Sequence, residues 1–329
     1  MTPRPIVTHV SKHVYSHCHR HHTPNSRPMT PTIYPRPLQP GDTIAICSPA
    51  GPIARDLVEQ AAEVLSSQGW NVRVMPHTFG HWGNYSGTDY ERYDDLASAL
   101  TDPHVRAIIA SRGGYGTVHI LDRLNNLDLA ANPKWIVGFS DISALHALMN
   151  VHGLASIHAS MAKHIRRGAD DPDNAMLFEI LRGNHNAVTL PTSPLNRHGS
   201  GQGRLRGGNL AVLADLIMTR YDMMIPGSVL FIEDIAEPIY KVERILYQLK
   251  IAGILGSLSG LIVGQFTDYR PDKSYNTMED MISDMVSDYN YPVAFNAPIG
   301  HVDHNIPVIE NADVTLTVSP SGPTRLIYN

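Results

Sequence analysis

The chain has 329 residues, 43% hydrophobic and 17% charged, with a formal net charge of −5; at ~150 residues per domain this length predicts about two domains, and the composition excludes a disordered or coiled-coil protein. No stretch approaches the ~20 unbroken apolar residues of a membrane span, and no basic stripe with interleaved aromatics appears, so neither membrane nor nucleic acid is an expected partner. Two cysteines, Cys18 and Cys47, make no disulfide framework, which fits a reducing compartment and a cytoplasmic place.

Residues 1–37 read as a disordered, His-rich tail. Histidines 9, 13, 17, 19, 21 and 22 stand among Pro and Thr with no acidic residue before Asp42, and no apolar run is long enough for a signal-peptide core. Met29 offers an alternative start, and residues 1–28 are expected to be dispensable. From Thr43 the pattern changes. Thr43–Cys47 is an apolar strand, 54–68 an amphipathic helix stopped by Gly69, and Val72 with Val74 mark a second strand. A helix over 90–100, a strand over Val105–Ala110, a helix over 117–124, a strand over 135–139, a helix over 142–151 and a strand over 154–159 follow. Strands alternating with helices at this spacing predict an α/β domain over 38–163, a doubly wound parallel sheet of the flavodoxin-like kind.

Residues 164–205, rich in Pro, Ser and Gly toward their end, read as an interdomain connection with one helix near 176–181. A C-terminal α/β domain with a mixed sheet is expected over 206–329. Its strands are 228–232, 260–264, 292–295, 314–318 and 325–328, and its helices 240–251 and 277–289.

Chemistry concentrates at strand ends, where doubly wound sheets bind ligands. Gly138-Phe139-Ser140 runs from a strand straight into a helix, the context that lifts a nucleophilic serine above the sheet. Ile142 replaces the second glycine of that motif, and Ser140 as a helix N-cap is the alternative. Arg112-Gly113-Gly114-Tyr115-Gly116 follows another strand and offers backbone N–H groups to an anion; a tight turn needing positive φ is the plainer reading. A serine nucleophile needs a base and an orienting acid. His301, after Gly300 in an end-of-strand loop, is the candidate base, although His301, Asp303 and His304 together have the look of metal ligands. Glu233 leaves the end of an apolar strand, whereas Glu237 already approaches the next helix, so Glu233 is the candidate acid.

These residues resemble the LD-carboxypeptidases, or muramoyltetrapeptide carboxypeptidases, a family that includes the microcin C self-immunity hydrolases. The resemblance runs from Leu38 to the end through Leu38-Gln39-Pro40-Gly41-Asp42, Ser48-Pro49-Ala50-Gly51, Gly87-Thr88-Asp89 with Arg92, the 112–116 loop, and Gly138-Phe139-Ser140-Asp141. Further blocks are Gly207-Gly208-Asn209-Leu210, Phe231-Ile232-Glu233-Asp234, Glu237-Pro238 with Tyr240, Glu243-Arg244, and Gly300-His301. His158-Ala159-Ser160 departs from the usual His-Gly-Pro and Met218-Thr219 from Gly-Thr, departures that bear on substrate-side loops. The resemblance implies a serine peptidase with a Ser140, His301, Glu233 triad, needing no metal or cofactor and forming a homodimer. Its implied substrate is a cytoplasmic muropeptide tetrapeptide, cut between diaminopimelate or lysine and the terminal D-alanine during peptidoglycan recycling.

Two further roles follow from strand-end placement. Gly114 and Asp141 are the expected backbone donors of an oxyanion hole, and Arg112 is the expected fork for a substrate α-carboxylate; Arg112 as scaffold, or paired with Asp141, is the alternative. Two competing functions remain: a self-immunity hydrolase of a peptidyl-adenylate antibiotic using the same triad, and a non-catalytic anion-binding α/β module. The second requires Glu233 and His301 to lie far from Ser140.

Overall fold

The computed structural model describes residues 31–185 and 187–329. In chain order the elements are β1 (Thr43–Cys47), α1 (Arg55–Ser67), β2 (Asn71–Val74), α2 (Asp89–Thr101), β3 (Val105–Ala110), α3 (Leu121–Leu124), β4 (Trp135–Gly138), α4 (Ser143–Val151) and β5 (Ser156–His158). Then come α5 (Ala162–Ile165), α6 (Pro172–Leu181), β6 (Ala187–Leu190), β7 (Gly199–Asn209), α7 (Leu210–Asp215), β8 (Val229–Ile235) and α8 (Ile239–Ile251). The chain closes with β9 (Gly260–Thr267), α9 (Met278–Met285), β10 (Val293–Ala294), β11 (Val308–Glu310), β12 (Asp313–Val318) and β13 (Thr324–Tyr328).

The fold is a two-domain α/β arrangement built on two sheets. The first has the order β11-β5-β4-β3-β1-β2, with β1 to β5 parallel; reversed, it is the 2-1-3-4-5 order of flavodoxin-like sheets. The side-chain period of two explains the double winding. Ile44 and Ile46 of β1 pack with Val58, Ala61 and Leu65 of α1, while Ala45 and Cys47 point the other way to Leu96 and Ala99 of α2. Both faces are covered over the inner strands, so β1, β3 and β4 read as mostly apolar runs, whereas the edge strand β2 alternates. Thr88 caps α2 with a reciprocal Glu91 bond, fixing its start at Asp89.

The second sheet is mixed, with the order β10-β9-β8-β7-β12-β13-β6; β7 to β10 run parallel, and β12, β13 and β6 antiparallel. Here the structure corrects the expected connection over 164–205, which supplies α6, β6 and the first half of β7. Glycine misled the reading of β7. Added Cβ atoms at Gly201 and Gly207 would run into the carbonyl oxygens of Ser259 and Phe231, so these glycines serve close strand approach rather than a loop. The halves also interlock, because β11, from the C-terminal half, joins the first sheet antiparallel to β5.

The expected tail is also corrected at its inner end. Residues 32–37 are bound into the body. Thr32 Oγ1 donates to the Asn311 carbonyl at 2.6 Å, Ile33 N donates to Gly153 O at 2.8 Å, and Arg36 meets Asp42 at 2.7 Å. Residues 1–30, with the six histidines, Cys18 and the alternative start at Met29, lie outside the described residues. No described helix is long and apolar enough to cross a membrane.

Candidate active site

Ser140 stands at the carboxyl end of β4 with φ +67°, a left-handed conformation that costs a non-glycine residue on the order of 1–3 kcal/mol and persists only when its surroundings impose it. The turn is held against the loop after β3. A Cβ on Gly113 would lie 2.9 Å from both Cβ and Oγ of Ser140, so only glycine lets that loop approach. Ser140 Oγ caps no helix: neither the 3₁₀ turn Ser140–Ile142 nor α4 has a side-chain cap bond. Its partner is His301 Nε2, at 2.9 Å.

His301 comes from the loop after β10. Gly300 precedes it at φ +124°, where a Cβ would stand 2.7 Å from Glu233 Oε2, and Gly300 N donates to Asn305 Oδ1 at 2.9 Å. That close approach brings His301 Nδ1 to 2.7 Å from Glu233 Oε2. Glu233, fully buried on β8, sits where the pairing of β8 with β9 shifts register between Ile232 and Asp234, an irregularity that re-aims a side chain. An ionised carboxylate only accepts, so Nδ1 carries the ring proton and Nε2 accepts from the serine hydroxyl. The chain of contacts Ser140 Oγ, His301, Glu233 thus links three elements and both halves of the molecule.

The plainer alternatives meet the same geometry. His304 Nδ1 pairs with Asp173 Oδ1 at 2.5 Å while both His301 ring nitrogens are engaged by Ser140 and Glu233, so His301 and His304 do not converge as ligands. Glu237 pairs with Lys241 at 3.4 Å at the start of α8. Arg112 Nη1 donates to Pro52 O at 3.1 Å, and among the described residues no carboxylate pairs with it. Asp141 instead accepts from Thr117 N at 2.9 Å, its carboxyl pKa raised by burial.

Ser140 and His301 open into a cavity of about 110 Å³ that Arg112, Gly113 and Gly114 also line. Phe139, Lys163, His164 and His301 are shared with an adjoining cavity of about 460 Å³, reaching Thr267, Asp268 and Asp303. Lys163 and His164 were missed in the sequence. Their signal was their place just after β5, another carboxyl strand end. Burial, followed by the charges of Lys163 and Arg167, pushes the His164 pKa down to about 4, so this ring faces the cavities uncharged at neutral pH.

The geometry permits a serine-centred acyl transfer in which Nε2 takes a proton from Oγ. Family profiles described as the LD-carboxypeptidase N-terminal domain and the LD-carboxypeptidase C-terminal domain match residues 44–159 and 202–316. The murein tetrapeptide carboxypeptidase of Pseudomonas aeruginosa is 31% identical over 274 residues, covering 80% of this chain and 89% of its own. The microcin C7 self-immunity protein of Escherichia coli is 28% identical, covering 70% of this chain and 77% of its own. The crystal structure of muramoyltetrapeptide carboxypeptidase from Oxalobacter formigenes superposes with a TM-score of 0.79 at 30% identity, over 87% of this chain and 99% of that one.

Proposed function

The chain belongs to the LD-carboxypeptidase family, and from that premise we propose that it is a serine carboxypeptidase releasing the terminal D-alanine of muropeptide tetrapeptides. The observation that carries the proposal is the unbroken hydrogen-bond chain from Ser140 through His301 to Glu233. Ser140 Oγ attacks the scissile carbonyl as His301 Nε2 takes its proton, and the tetrahedral oxyanion is met by the N–H groups of Gly114 and Asp141. His301 then protonates the leaving D-alanine amine, and a water releases the acyl-enzyme by the same route. Glu233, buried and acting only through Nδ1, fixes the tautomer and stabilises the imidazolium. Peptidoglycan recycling, a cytoplasmic place and a homodimeric assembly belong to the same proposal.

Arg112 lines the Ser140 cavity without a carboxylate partner among the described residues, which suits it to the free α-carboxylate of the departing D-alanine. Arg112→Lys, a point charge in place of a fork, is expected to raise KM about tenfold for the free acid, the worth of one charge-assisted hydrogen bond. KM for the C-terminal amide should stay within about twofold. Equal effects on both substrates would leave Arg112 as scaffold.

The match to a self-immunity protein supports a second reading, hydrolysis of a peptidyl-adenylate by the same three residues. Such a substrate has no free carboxylate on its leaving side and would offer Arg112 the phosphoryl oxygens of its adenylate instead. Incubation with a defined tetrapeptide and a peptidyl-adenylate analogue, followed by mass spectrometry, separates the two. D-alanine release from the tetrapeptide is expected, and turnover of the adenylate alone would replace this reading with the second.

A further inference from the structure

Behind the nucleophile turn lies a buried polar cluster that the proposed chemistry does not use. His146 on α4, Ser156 and His158 on β5, and Glu310 on β11 are all 1% exposed or less. Their elements are those that flank the two reacting side chains: α4 follows the Ser140 turn, β5 lies beside β4, and β11 follows the His301 loop.

His146 Nε2 is 2.9 Å from the Gly138 carbonyl and Nδ1 is 2.9 Å from Ser156 Oγ. A carbonyl only accepts, so Nε2 carries the proton and Nδ1 accepts from the Ser156 hydroxyl. The same Gly138 carbonyl accepts from Ala159 N at 3.1 Å. The last residue of β4 is therefore gripped from both sides, by the backbone that leaves β5 and by a side chain of the helix that the turn leads into.

Glu310 Oε1 stands 3.7 Å from His146 Nε2, and neither of its carboxyl oxygens makes a well-formed hydrogen bond among the described residues. Burial lowers the His146 pKa to about 4, so the ring is uncharged at neutral pH, and burial raises that of Glu310 well above the usual carboxylate range against the opposing pull of the Gly207 N–H and the Arg206 charge. In the β11–β5 ladder Glu310 lies opposite Ser156. The strand arriving from the His301 loop thereby sets the position of the hydroxyl that orients the His146 ring through Nδ1.

We propose that His146 is a positioning residue for Ser140: its Nε2–H, in the tautomer that the Gly138 carbonyl imposes and with the ring oriented by Ser156, holds Gly138 O and with it the left-handed turn that presents Ser140 Oγ to His301. This rests on Ser140 as the nucleophile. His146 touches no reacting atom in the proposed chemistry, and it acts through the backbone alone.

The test compares His146→Leu, which removes the donor, with His146→Gln, whose amide N–H has similar reach. For D-alanine release His146→Leu is expected to lose about 10- to 100-fold in kcat with KM within about twofold, as for a small misplacement of a reacting atom. His146→Gln should recover most of the loss. Ser156→Ala, which removes the bond that orients the ring, should fall in the same direction by less, and it decides the matter if His146→Leu does not fold. Crystal structures of the variants give a substrate-independent measure, in which Ser140 Oγ is expected to leave its 2.9 Å contact with His301 Nε2. Unchanged kcat in the folded variants, equal losses in His146→Leu and His146→Gln, or an unmoved Ser140 would each overturn the proposal. If the wild type releases no D-alanine but Ser140 moves in the variant structures, the substrate reading fails and this inference stands.

Discussion

Ser140→Ala is expected to lower kcat for D-alanine release by about 10⁶-fold, the scale of losing a serine nucleophile that works with its base as one unit. The protein should stay folded. Ser140 Oγ makes no helix-cap bond and its partner is His301 Nε2, so truncation removes one partly exposed hydrogen bond worth about 1 kcal/mol. Alanine at φ +67° is no more strained than serine, and Gly113 leaves room for either Cβ. Kinetics with the tetrapeptide and a thermal melt of the same sample check both halves of the expectation. Activity within tenfold of the wild type, together with a lowered melting temperature, would return Ser140 to a merely structural place in its turn.

The legible parts of the fold were those whose signals are local. β1, β3 and β4 are buried on both faces and read as apolar runs apart from Thr43 and Arg106 near their starts, and Ser140 was visible because a strand, a glycine two residues earlier and a helix lie together in the chain. Glu233 was separable from Glu237 by its place on the strand, and β8 in fact runs on to Ile235. What was not legible depends on distant partners. The glycines of β7 look like loop until Ser259 and Phe231 are seen pressing against them. β11 is three residues long and draws its meaning from β5, far back in the chain. Lys163 and His164 carry no motif, and their place beside His301 follows from how the His301 loop crosses from the second sheet to the first. The approach of Ser140 to His301, across 161 positions, is of the same kind: residue types and strand ends name the candidates, but tertiary pairing alone brings them together.

Glu233→Gln tests that pairing at its most buried point. The carboxylate is fully buried and reaches the reaction only through His301 Nδ1 at 2.7 Å. Glutamine preserves its shape but can turn its amide N–H toward Nδ1. The imidazole then takes the other tautomer, with Nε2 protonated and unable to accept from Ser140 Oγ, and the developing imidazolium loses its counter-charge. A loss of about 10⁴-fold in kcat is expected, the scale of the same change in other serine triads, with KM little altered because Glu233 does not line the cavities. His301→Ala should approach the loss in Ser140→Ala, and the Ser140→Ala/His301→Ala double variant should be hardly worse than either, since neither residue works without the other. Glu237→Gln supplies the contrast. Glu237 pairs with Lys241 at the mouth of α8, so its loss should cost less than about twofold in kcat. Were Glu237→Gln the damaging change and Glu233→Gln nearly silent, the orienting acid would have to be sought in the approach to α8, and the 2.7 Å contact to His301 would be packing without chemistry.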